Sequence, residues 1–99
     1  MTDHQINLGI QIVPIADAEK CYPIIDACIG LIQQSGIAYQ VTAFETILEG
    51  KYGEIMDLVN RLYALALSRS EELVINIRLH AKNGKDVFGT DKTARFNKG

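Results

Sequence analysis

The chain has 99 residues, of which 47% are apolar and 22% charged, with a formal net charge of −2. This is the composition of one ordinary globular domain, large enough for a core but only marginally stable alone, so association of copies would be a ready source of stability. No strongly basic balance points to nucleic acid and no apolar run is long enough to span a bilayer; the first residues, MTDHQINLG, also lack the pattern of a signal peptide, which leads us to expect a cytoplasmic protein.

Asn7 to Val13 (NLGIQIV) alternates, with Leu8, Ile10 and Ile12 on one side and Asn7, Gly9 and Gln11 on the other. That is a half-buried strand. Pro14 and Asp17 mark a connection. A helix is predicted to begin near Pro23, whose missing N–H suits a first helical position. Ile25, Cys28, Ile29 and Ile32 supply its buried stripe, and Ser35-Gly36 ends it, with Gly36 in the left-handed cap. Cys21 and Cys28, seven apart on such a helix, are separated by about 10 Å along its axis, too far for a disulfide, so both are read as free packed thiols.

Tyr39 to Thr42 is a second strand, Ala43-Phe44 a connection or bulge and Glu45 to Glu49 a third strand. Glu54 to Leu67 is a second helix with Ile55, Leu58, Val59, Leu62 and Ala66 as its stripe. Leu73 to His80 (LVINIRLH) alternates again, and Asn83-Gly84 is a turn. Val87-Phe88 has the character of a short extra strand, and Phe96 is the only anchor in the remaining tail. The tail is basic: residues 82–99 hold five Lys/Arg against two Asp/Glu, whereas residues 1–81 hold five against ten. It is read as solvated or docked on an acidic neighbour, while the acidic body favours a cationic ligand.

The order β-α-β-β-α-β predicts an α+β, ferredoxin-like sandwich: a four-stranded antiparallel sheet with two helices on one face. Residues 1–99 are then a single domain, with a core over about 6–82 and a tail over 83–99. Strands one and three are central. The Ile/Leu sets of strands one and four face the helices, which leaves Asn7, Gln11, Gln40, Thr42, Asn76, Arg78 and His80 on the opposite face. Such a face is wet surface, a wet subunit interface, or a pocket whose amides read a polar heterocycle. Asn and Gln offer both donor and acceptor to an aminopyrimidine edge, Phe44 a stacking surface, and Glu45 and Glu49 negative charge. Glu45 and Glu49 share strand parity and Thr46 opposes them, so which set meets a ligand stays open. No catalytic constellation stands out: Ser35 and Ser70 lack a neighbouring His and Asp, and His4 and His80 form no metal signature.

Several stretches together resemble one family: GIQIVP at 9–14, YPIIDACIGLIQQSGIAYQV at 22–41, AFETILEG at 43–50 and VINIRLH at 74–80, with DKTARF in the tail. In order, the SG-x-x-Y, FET-x-x-EG and N-I-[KR] elements are similar to the thiamine-binding family of small ferredoxin-like proteins. The resemblance implies a non-enzymatic protein that binds thiamine or its hydroxymethylpyrimidine moiety for sequestration, transport or delivery. It also implies homodimers or homotetramers formed through sheets; no motif in the sequence calls for a cofactor or metal. Carried over residue by residue, it assigns ligand binding to Gln11, Phe44, Glu45, Thr46, Glu49 and Asn76. Two positions depart from the family pattern: Lys51 stands where an acidic helix-start residue is common, and SRSEEL lacks the usual Gly-Ala before the last strand. The alternative is a structural or regulatory oligomeric module with no small-molecule ligand; a weaker third reading is an enzyme acting on a small substrate.

Overall fold

Three alternating apolar stretches and two amphipathic ones can bury their apolar sides together only by stacking helices on one face of a sheet. The computed structural model, which describes residues 3–93 apart from the side chain of Asp91, has this arrangement. Its elements are β1 (Gln5–Pro14), α1 (Ala18–Gln34), β2 (Ala38–Val41), β3 (Thr46–Lys51), α2 (Tyr52–Ser68), β4 (Leu73–His80) and a short α3 (Gly89–Thr93). The sheet order is β2-β3-β1-β4, antiparallel throughout. The expected βαββαβ fold and its central strands are therefore present.

Register follows from the pleat. Leu8 stands opposite Leu48 on β3 and Leu79 on β4; Ile10 stands opposite Thr46 and Ile77. Ile6, Leu8, Ile10 and Leu48 face the helices and are buried with Ile24, Cys28 and Ile32 of α1 and Ile55, Leu58, Val59, Leu62 and Ala66 of α2. The α2 stripe is the one its periodicity predicts. The α1 stripe is turned: Ile24, Cys28 and Ile32 are buried, while Ile25 and Ile29 are only half-buried. The helix also starts five residues before Pro23, after Asp17. Pro23 thus sits inside it, where the ring leaves the Glu19 carbonyl without its helical donor. Burial pushes the Cys28 thiol above its ordinary value, with the Arg69 charge opposing, as befits an inert packed thiol. Both cysteines are free.

Ile77 and Leu79 share the helix-facing side of β4, yet they are 42% and 43% exposed. The helices cover the outer strand only toward its beginning, where Leu73 and Ile75 pack on the core. Gly36 takes the left-handed cap of α1 at φ 79°, and Gly84 the turn at φ 71°. Lys51 precedes α2 without a side-chain cap. The N-terminal arm supplies one instead: Asp3 Oδ1 accepts from Gly53 N at 2.8 Å.

The described part of the segment after β4, residues 81–93, is not a free tail. It turns at Asn83-Gly84, and Val87 N donates to Gln5 O at 2.9 Å, continuing alongside the start of β1 without forming the short strand expected at Val87-Phe88. Val87 is buried. Asp86 accepts from Gln5 N at 2.8 Å. That hydrogen bond chiefly, with smaller help from His4 and Lys51, holds the Asp86 carboxyl below its usual value against the opposing effect of desolvation. Its contribution to docking is thus present above the ordinary carboxylate range and lost as pH falls through the depressed value. Phe96 lies outside the described residues.

Candidate functional site

The sheet face away from the helices is built from alternate residues of each strand. On β1 these are Asn7, Gly9 and Gln11; on β3, Ile47 and Glu49; on β2, Ala38 and Gln40; on β4, Asn76, Arg78 and His80. A cavity of about 570 Å³ opens on it, within the range of small-molecule sites. Ile47 and Gly9 lie on its sheet side, and α3 borders one end through Gly89, Thr90, Lys92 and Thr93.

Glu49 is the best-held polar group there. Its Oε1 accepts from Asn7 Nδ2 at 2.9 Å and from Gly89 N in a very short hydrogen bond. Asn7 Nδ2 also donates to Val87 O at 3.3 Å. The returning segment thereby fixes a carboxylate at the cavity wall, and among the described residues Oε2 has no protein donor. Gly89 permits the approach: a Cβ there would come within 3.2 Å of Glu49 Oε1 and 3.3 Å of Asn7 Oδ1.

Glu45 reaches the same cavity by a different route. The β2–β3 turn is tied by Thr42, whose Oγ1 donates to Glu45 O at 2.6 Å and accepts from Glu45 N at 3.1 Å. From this turn the Glu45 side chain lies across β1 and accepts from Arg78 Nη2 of β4 at 2.8 Å. Gly9 makes the crossing feasible, since a Cβ there would stand 2.7 Å from Glu45 Oε2. The hydrogen bond and charge of Glu45 push Arg78 further above its already high value. Arg78 is 82% exposed, so solvent screens the pair and it adds little to stability; its effect is to aim and neutralise a carboxylate. Gly9→Ala is expected to change stability by under about 1 kcal/mol while displacing Glu45, read as a shift of its carboxyl carbon resonance. An unmoved resonance would refute this role for Gly9.

The six residues assigned from the sequence do not all meet. Glu45 and Glu49 share the cavity. Gln11 and Asn76 are on the same face and bond to each other, Nδ2 of Asn76 donating to Oε1 of Gln11 at 3.1 Å, but neither lines that cavity. Thr46 is turned to the helix side and buried, as strand parity requires once Glu45 and Glu49 face outward. Phe44 is at the tip of the β2–β3 turn, 82% exposed. Gln11, Phe44 and Thr46 instead border a smaller cleft of about 260 Å³ beside Ile25 and Ile29 of α1, which Glu45 also touches. Conversely, the cavity brings in Asn7, Gly9, Gln40, Arg78 and His80. Strand alternation puts them on this face but does not single them out. Gly89 and Lys92 come from the presumed tail and carry no sequence signal for a site. Among the described residues no group of three or more His, Cys, Asp or Glu is placed to hold a metal, and no helix is long and apolar enough to cross a membrane.

Residues 8–97 match a family model described as thiamine-binding protein. A UPF0045 protein of Clostridium perfringens is 27% identical over 71 residues, covering 72% of this chain and 75% of its own. Among solved structures, a Bacillus cereus domain described as of unknown function (DUF77) superposes with a TM-score of 0.87 at 29% identity, covering 96% of this chain and 92% of its own. A Thermotoga maritima protein described as a "putative thiamine biosynthesis/salvage protein" superposes with a TM-score of 0.85 at 25% identity, covering 94% and 99% respectively.

Proposed function

The chain belongs to the thiamine-binding protein family, and from that premise we propose that it binds thiamine or its hydroxymethylpyrimidine moiety without transforming it, for sequestration, transport or delivery. The observation that carries this reading is the Glu49 carboxylate, fixed by Asn7 and Gly89 at the wall of the cavity on the open sheet face. An aminopyrimidine presents an N–H donor edge to such an acceptor, and a preset carboxylate loses little freedom on binding it. Ile47 offers the ring an apolar surface and Gln40 a further donor and acceptor. Gln11 and Asn76 extend the polar row past the cavity, and Phe44 is exposed at its turn, away from this floor. Thr46 supports the strand from the helix side.

The second reading, an oligomeric module without a small-molecule ligand, is favoured by one observation. β4 is an outer strand with Ile77 and Leu79, both on its helix-facing side, each more than 40% exposed, a surface that association would cover. Calorimetric titration with thiamine and with hydroxymethylpyrimidine separates the two. Saturable binding near micromolar, about −8 kcal/mol, is expected for at least one of them. No heat with either, at several temperatures and in folded protein of defined oligomeric state, would leave the oligomeric module as the better account.

A further inference from the structure

The cavity has two walls of opposite charge. Glu45 and Glu49 come from the β3 side; Arg78 and His80 come from β4, and Lys92 from α3. β3 and β4 flank β1, so their backbones stand about 10 Å apart, a gap that the Glu45 side chain spans to Arg78 while Glu49 stays on the β3 side. The basic wall exceeds what the carboxylates need. Arg78 spends one Nη2 contact on Glu45, leaving most of its five N–H donors free. Lys92 Nζ lies 2.9 Å from His80 Nδ1. An ammonium has only donors, so Nδ1 is the accepting atom of this contact. Among the described side chains, Lys92 makes no salt bridge to a carboxylate. The Thr90 hydroxyl adds a donor on the same side. A free alcohol offers this wall one uncharged acceptor oxygen, whereas a phosphoryl group matches both its charge and its excess of donors.

Resting on the functional reading above, we propose that the site prefers a phosphomonoester of its aminopyrimidine ligand over the free alcohol. The heterocycle lies toward Glu49 and the phosphoryl group takes Lys92 and Arg78. A ligand bearing a cationic or donor-rich ring at one end and a phosphate at the other repeats the polarity of the cavity, so each end meets its complement.

The test is calorimetric titration of the whole chain with thiamine and with thiamine monophosphate, in wild type, Lys92→Ala and Arg78→Gln. Wild type is expected to bind the monophosphate about 10- to 100-fold more tightly than thiamine, the worth of one or two charge-assisted hydrogen bonds. That ratio is expected to fall toward unity in either variant, and to shrink with added salt in wild type. Equal affinities, or a preference for thiamine, would overturn the phosphate assignment and leave the thiamine reading standing. A preference that survives in both variants would also overturn it, by placing the phosphate elsewhere. Failure of both ligands to bind would remove the functional reading itself, and this inference with it.

Discussion

Leu62→Ala is expected to lower the unfolding free energy by about 2–5 kcal/mol, seen as a fall in the urea midpoint at unchanged slope. Leu62 is fully buried on α2 in the cluster that joins both helices to β1 and β3. Its loss removes apolar contact and leaves a void that close-packed neighbours from three elements fill only in part. A domain of this size holds about 5–15 kcal/mol in total, so one side chain accounts for a large share. The thermal midpoint would drop by roughly 4–8 °C for each kcal/mol lost. A change below about 1 kcal/mol would mean that Leu62 does not lie at the centre of the packing.

Glu49→Ala is expected to act on binding and on the returning segment together. Thiamine affinity should fall about 10- to 100-fold, the loss of a charge-assisted acceptor in a sheltered site. The same substitution takes the acceptor from Asn7 Nδ2, which keeps only its 3.3 Å bond to Val87 O, and from Gly89 N. Leaving sheltered donors unmatched costs about 1–3 kcal/mol, so amide hydrogen exchange at 87–93 should quicken. Glu49→Gln separates the two roles: its amide oxygen still accepts from Asn7 and Gly89, but its charge is gone. Glutamine should therefore restore most of the protection at 87–93 and little of the affinity. Wild-type affinity in the alanine variant would exclude Glu49 from the site and with it the orientation proposed for the ligand.

The difference between these two residues tracks what could be read along the chain. Leu62 was legible because α2 obeys a single period, and every member of its stripe is buried. β1 and β4 were legible by alternation, and the antiparallel order followed from the sequence of elements. α1 was less so. Its apolar residues run nearly all round the helix, so periodicity did not distinguish Ile24 from Ile25, and docking on the sheet chose the face. Lys51 offered no cap, and the one α2 uses comes from Asp3, 50 positions away.

By itself the sequence determined the element order, the two-layer architecture, the α2 face of the core and the sheet face that carries the amides and carboxylates. These depend on contacts among near neighbours and on the pleat, which places Glu45 and Glu49 on one side and Thr46 on the other. Only the tertiary structure decided which of those polar groups meet: that Glu45 crosses Gly9 to Arg78, that Asn7 and Gly89 hold Glu49, and that Lys92 stands against His80. Each joins residues from separate elements, and the short polar segment that brings Gly89 and Lys92 back over the sheet has no hydrophobic period to announce its path. Its course is set by hydrogen bonds to β1 and by the burial of Val87, and those exist only once the sheet has formed.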